Sequence, residues 1–212
     1  MPMQEESYIS IASEASCEYT IKRSRFIGIC APIVTEADAI SFLERMKEDY
    51  PAARHYVYAW KSNSPYLIQK YSDDGEPQGT GGRPVLDVLE GAGIDRGAIC
   101  VVRYFGGILL GTGGLARAYS QAAAGALAEA GFKKYMRYHL FSLEVEYSVF
   151  DKLTARLEAA AFYQDDAQFT SKVKLLVGAS AEMISELQVL VQDITAGSGQ
   201  LIPQGERFLP VP

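Results

Sequence analysis

Residues 98–130 constrain the fold more than any other stretch of the chain. A mostly apolar run (AICVVRYF, 98–105) passes into a glycine-rich one (GGILLGTGG, 106–114) and then into an alanine-rich one (115–130). Eight largely apolar residues bounded by a glycine turn read as a buried strand. The alanine-rich segment has helical length and small inward residues, so it is expected to lie close against a sheet, and Gly131 is placed to end it. A helix that starts from a glycine turn leaves its first N–H groups without side-chain caps, and its dipole favours an anion there. Gly111, Thr112, Gly113 and Gly114 are therefore candidate anion-binding positions. Arg103 at the strand's end and Arg117 at the helix start can add charge-assisted hydrogen bonds.

A second glycine cluster lies at 72–83, and the two clusters together hold nine of the nineteen glycines. Glycine at that density specifies backbone geometry rather than packing. The first cluster carries three carboxylates within four residues, Asp73, Asp74 and Glu76. Three oxygen donors suit a hard cation such as Mg²⁺. Asp-Gly and Glu-Pro pairs are also ordinary turn chemistry. A pair between Asp73 or Asp74 and Arg103 or Arg117 would account for the clustered charge without a metal. His55, at the head of an expected strand, and Arg83 complete the polar set.

Several familiar sites are excluded. Residues 111–116 fit G-x-G-x-x-A, yet the strand ends six residues before Gly111 and only Glu129 follows as an acid, so a dinucleotide fold is not supported. No Gly-Lys-Ser/Thr closes a P-loop, the EF-hand spacing is missing, and no G-x-S-x-G marks a nucleophile. Trp60, Tyr56 and Tyr58 read as packing residues of a hairpin, with base stacking the alternative.

The remaining pattern divides in two. Residues 16–33 suggest two strands joined near 23–24. Thr35 can cap a helix bearing Ile40, Leu43, Met46 and Tyr50 at helical spacing, and residues 55–60 and 65–70 read as a hairpin around 62–64. A short helix is expected over 84–91. After Lys134 the texture changes: Phe141, Leu143, Val145 and Tyr147 alternate with polar residues, then Phe150, Leu153, Leu157 and Ala160 form a helical stripe. A short strand near 162–165, an alternating strand at 173–177, a helical stripe at 183–191 and a last strand over 201–207 follow. That order is βαββαβ, the ferredoxin-like plan. The expected fold class is α+β in two domains, residues 1–136 and 137–212.

The formal charge of −6 is spread over both halves, with 14 basic against 16 acidic residues through position 136 and 6 against 10 beyond it. Neither half has the basic surplus of a typical nucleic-acid-binding domain, so any contact with RNA must come from a local patch. Three widely spaced cysteines suit a reducing cytoplasm, with Cys30 and Cys100 expected as small core residues. The acidic start lacks an apolar export segment, and no window approaches a membrane span, so no membrane partner is expected.

The segments RFI (25–27), AARH (52–55), YSDDGEP (71–77), GTGGRP (79–84) and RYFGGILLGTGGLARAY (103–119) together resemble the Impact/YigZ family. The resemblance covers residues of about 18–130 by motif and the remainder by architecture. It implies a first domain similar to the second domain of ribosomal protein S5, an α/β fold. The second domain is then similar to domain V of elongation factor G, which agrees with the ferredoxin-like plan. The family pattern usually has Thr-Ala-Gly where this chain has Thr80-Gly81-Gly82. The eukaryotic Impact protein restrains an initiation-factor kinase by competing for its activator, using a further N-terminal module, so that role does not carry over whole. What the resemblance implies is a translation-linked regulator that contacts RNA, the ribosome or a protein partner; no cofactor is expected, with Mg²⁺ the one candidate. The alternative is an enzyme acting on a phosphorylated or nucleotide small molecule. In that reading residues 111–114 hold phosphate, Asp73, Asp74 and Glu76 hold Mg²⁺, and Arg117 steadies developing charge.

Overall fold

A computed structural model describes residues 6–63 and 66–211, and the chain divides into two compact units, one spanning Tyr8–Lys134 and one containing Tyr135 onward with the described residues Glu6 and Ser7. Strand β1 (Ser7–Ile11) leads into the first unit, whose sheet contains β2 (Ala15–Ile21), β3 (Ser24–Ala31), β4 (His55–Ser62), β5 (Ile68–Ser72) and β6 (Gly97–Tyr104). The order is β2-β3-β6-β4-β5, with every neighbouring pair antiparallel. Lys22 and Arg23, both at positive φ, form the tight turn between β2 and β3. The turn expected over 62–64 and the strand start expected at 65 involve residues 64 and 65, which lie outside the described residues.

Helix α1 (Glu36–Asp49) starts at the expected cap. Thr35 Oγ1 accepts from Asp38 N–H, and the Asp38 carboxylate accepts from Thr35 N–H in return. Its buried face is rotated from the expected stripe: Ala39, Phe42 and Met46 are enclosed, while Ile40 is half exposed. The large Phe42 and Met46, four residues apart, decide which side meets the sheet. Helix α2 (Gly82–Gly91) begins two residues before the expected start at Pro84.

Helix α3 (Thr112–Ala130) begins three residues earlier than its alanine pattern suggests, with Gly111 at φ 71 before it and Gly131 closing it. Its buried face is small, including Ala118, Ala122, Ala123 and Ala126. The close approach this permits is read at Gly28 on β3, where an added Cβ would lie 2.1 Å from the Ala122 carbonyl oxygen. Leu86, Leu89, Ile99, Val101 and Tyr119 fill the core between this layer and the sheet.

The second unit contains β7 (Phe132–Val145, from Tyr135 onward), α4 (Tyr147–Ala159), β8 (Tyr163–Gln164), β9 (Gln168–Phe169), β10 (Val173–Ala179), α5 (Ile184–Thr195) and β11 (Ile202–Pro210). β7 pairs with β10 and β11, and β10 pairs with β8 and β9, all antiparallel. Apart from the added two-residue β9, this is βαββαβ, as expected, and the α+β architecture holds in both units. Phe141, Leu143, Val145, Leu153, Leu157, Val173, Leu175, Leu187 and Val191 form its core. β7 starts nine residues before its apolar alternation, because residues 132–139 are mostly charged or aromatic and only partly buried. Cys30 and Cys100 are buried in the first unit, and burial pushes their thiols up, Cys30 to about 11.

Candidate functional site

The register of three neighbouring strands builds the base of the site. Phe26 on β3 pairs with Arg103 on β6, and Arg103 pairs with His55 on β4. The Arg103 side chain is only 6% exposed. Its guanidinium carbon sits 5.2 Å from the Phe26 ring centre and 5.3 Å from that of Phe105, so the cation lies over two aromatic rings. A buried guanidinium requires a counter-charge.

The acidic turn supplies it, but through one carboxylate of the three. Glu76, 4% exposed at its side chain, pairs with Arg103 Nη1, and its Oε1 also accepts a 2.8 Å hydrogen bond from the Tyr119 hydroxyl on α3. Burial first, then the neighbouring Glu76 charge, pushes the Tyr119 phenol well above its ordinary range, so it stays a donor. The ring of Tyr119 meets Phe26 edge-on at 5.1 Å.

Asp73 and Asp74 have backbone duties. The Asp73 carboxylate accepts from the amides of Gly79, Gly81 and Gly82 at 2.8, 2.9 and 2.9 Å, closing the glycine turn onto the start of α2. Asp74 Oδ2 accepts from Tyr56 N–H at 2.6 Å. The Asp74 carbonyl lies 2.7 Å from His55 Nδ1. A carbonyl can only accept, so Nδ1 carries a proton, and Nε2 lies 3.8 Å from Glu76 Oε1. The expected Asp73 or Asp74 pair with Arg103 or Arg117 is therefore replaced by Glu76 with Arg103. A Mg²⁺ ion held by the three acids does not fit this geometry. Two of them are committed to amide donors and the third to an arginine, and no group of three metal-ligating side chains converges among the described residues.

Burial pushes the pKa of Asp73 up, but the bonds from Gly79, Gly82 and Gly81 outweigh it and hold the group below its ordinary 3.8. A depressed folded-state value means the turn's contribution is complete above the ordinary value and disappears as pH falls through the folded one. Asp73→Ala is expected to cost about 1–2 kcal/mol near neutral pH, the scale of a lost helix-start acceptor. Urea melts at pH 6 and pH 3 check this: the gap between variant and parent should narrow at the lower pH.

Above this network lies a pocket of about 580 Å³. Arg54, His55, Glu76 and Arg103 make its polar side, and Pro77, Phe105, Leu109, Leu110 and Leu115 its apolar side. Gly111 and Thr112, at the start of α3, complete the lining. No side chain caps this helix start. An added Cβ at Gly111 or Gly113 would meet nothing within 4 Å, so the backbone there is open to approach. The acidic turn and the glycine loop thus share one cleft, through Glu76 rather than through the aspartates.

The structure brings His55, Glu76, Arg103, Gly111 and Thr112 together at this pocket. Gly113 and Gly114 continue the first turn of α3 without lining it. Arg83 lies on the outer face of α2, paired with Asp87 at 2.7 Å and Glu90 at 3.0 Å. Arg117 is exposed in the second turn of α3, because the helix begins at Thr112, and it does not line the pocket. Arg54, Tyr119 and the apolar wall were not expected. The available signal was a leucine pair, Leu109 and Leu110, inside a glycine loop, where burial is hard to achieve.

A mixed α+β first unit with this pocket, followed by a ferredoxin-like unit, defines a two-domain class, and comparison with known proteins identifies it. The Impact N-terminal domain model matches residues 22–127, and a model described as a domain of unknown function (DUF1949) matches residues 143–198. The chain belongs to the Impact family. The Escherichia coli (strain K12) IMPACT family member YigZ is 34% identical over 199 residues, covering 93% of this chain and 98% of that protein. A Thermus thermophilus relative, IMPACT family member in pol 5'region, is 48% identical over 110 residues, 52% of this chain and 58% of its own length. A crystal structure of a hypothetical protein superposes with a TM-score of 0.63 at 33% identity, covering 93% of this chain and 97% of that one.

Proposed function

We propose that this chain is a cytoplasmic, translation-linked regulatory protein that works by binding, its first unit receiving an anionic group of a protein partner, ribosomal proteins included. The observation that carries this is the pocket itself, where a charged end and an apolar end meet beside an exposed loop. Leu109 is 82% exposed and Ile108 41%, and apolar residues displayed beside a charged pocket suit a protein contact. Family membership and the resemblance of both domains to translation components support the translational setting. No helix among the described residues is long and apolar enough to cross a membrane. Free RNA is the weaker partner: the chain is acidic overall, and each phosphate contact needs its own cation.

Co-sedimentation of the full chain with ribosomes at low and high salt tests the reading, with labelled RNA as a parallel arm. Wild-type protein should sediment with ribosomes at low salt, and Arg54→Ala should bind about tenfold less tightly, the scale of one charge-assisted contact. Absence of ribosome binding at low salt, or RNA binding as tight as ribosome binding, counts against it.

One observation favours a second reading. His55 has its tautomer set by the Asp74 carbonyl and its Nε2 beside a pocket, the arrangement of a general base acting on an anionic small molecule. Such an enzyme would act on a phosphorylated or nucleotide substrate. A nucleotide-dependent rise in melting temperature, lost in His55→Gln, would favour it over the binding role.

A further inference from the structure

We propose that the pocket of the first unit recognises a carboxylate attached to an apolar body, the chemistry of a polypeptide C-terminus ending in an apolar residue or of a small apolar acid. The inference rests on the reading of this pocket as a binding site and specifies what enters it.

The charge at the polar end selects a monoanion. Arg103 is neutralised by Glu76, and His55 Nδ1 is committed to the Asp74 carbonyl. Arg54, exposed with its guanidinium 5.8 Å from the Phe105 ring, has no carboxylate partner among the described residues. One uncompensated cation plus the partial positive end of α3 matches a single negative charge. A phosphate dianion would bring a second charge next to the Glu76 carboxylate, where like charges repel.

A second observation is independent of the helix start. Arg103 Nε is buried without a hydrogen-bond partner among the described residues, although the side chain lies in the pocket lining. Buried donors are ordinarily satisfied, and this one, in a side chain that lines the pocket, is a donor for which the described residues supply no acceptor. Guanidinium edges match carboxylates in shape as well as charge.

The opposite wall selects the body of the ligand. Phe105, Leu109, Leu110 and Leu115 form an apolar surface facing the charged end, and Leu109 has most of its side chain left to cover. A volume of about 580 Å³ accommodates a small ligand or the last residues of a peptide rather than a polymer backbone. Burying a leucine-sized group against this wall supplies the non-directional part of binding, and the carboxylate fixes orientation.

Fluorescence anisotropy on the full chain tests the proposal with four probes: a labelled tetrapeptide ending in leucine, the same peptide with an amidated C-terminus, and N-acetyl-leucine and inorganic phosphate as competitors. The free-acid peptide should bind, and amidation should weaken it by about tenfold or more. N-acetyl-leucine should compete, and phosphate should not at the same concentration. Arg54→Ala and Leu109→Ser, both at exposed positions and checked by unchanged melting temperature, should each weaken binding several-fold. If N-acetyl-leucine binds as tightly as the peptide, the source is a small acid, and a tighter peptide assigns it to a chain terminus. Equal binding of acid and amide, displacement by phosphate, or no binding of either carboxylate overturns the proposal. Ribosome sedimentation by the same protein then shows whether the wider reading survives without it. Carboxylate binding without ribosome association would remove the translational reading and leave this one standing.

Discussion

Glu76→Ala is expected to lower the unfolding free energy of the first unit by about 3–5 kcal/mol, the scale of removing one partner from a buried ion pair. The side chains of Arg103 and Glu76 are 6% and 4% exposed, so each has little water to replace its partner when the other is lost. The same truncation strips the Tyr119 hydroxyl of its acceptor. Glu76→Gln keeps an oxygen for Tyr119 and Arg103 but removes the charge, and should fall between parent and alanine variant. The chain's single tryptophan, Trp60, is buried on β4, so its fluorescence during urea denaturation follows this unit. A loss below about 1 kcal/mol for Glu76→Ala would mean the pair carries none of the energetic weight assigned to it.

The second large effect lies at Gly28. An added methyl would sit 2.1 Å from the Ala122 carbonyl oxygen and 2.6 Å from its carbon. The obstacle is helix backbone, which cannot rotate aside as a side chain can. Gly28→Ala must therefore push α3 off the sheet and disturb the alanine face that made the approach possible. A cost of about 3 kcal/mol, the upper part of the range for overpacking, is expected. Gly91→Ala provides the contrast: nothing lies within 4 Å of the added atom, its φ lies outside the positive range, and it ends a helix. That change should be neutral or mildly stabilising, since glycine disfavours helix. Equal melting temperatures for the two variants would refute the packing account of α3.

These sites show which parts of the molecule can be read from residue order. The alanine face of α3 and the glycine before it follow from local composition, as do the Thr35–Asp38 cap and the alternating strands of the second unit. Element ends are less visible. α3 starts at Thr112 because a helix accepts Gly113 and Gly114 in its uncapped first turn, although their propensity argues against it. The apolar stripe of α1 is misjudged by one position, since Ile40 and Phe42 are both apolar and only the sheet beneath selects between them.

The site divides in the same way. Backbone demand marks the two glycine loops, and their convergence follows once one strand feeds α3 and another ends in the acidic turn. Which acid meets Arg103 depends on how a turn folds across 27 residues of separation. Three acids within four residues look alike in composition. Asp73 and Asp74 are drawn to nearby amides, and Glu76, with its longer side chain, is the one that reaches the guanidinium. Arg54 and Leu109 escape notice because exposure, their defining property here, is a tertiary fact.

A crystal structure of the full chain grown with N-acetyl-leucine tests the central claim most directly. The account predicts the carboxylate against Arg54, the Arg103 guanidinium and the first-turn amides of α3, with the leucine side chain on Leu109 and Leu110. Finding the acid bound elsewhere on the molecule, with this pocket empty at a concentration that saturates binding in solution, would contradict it.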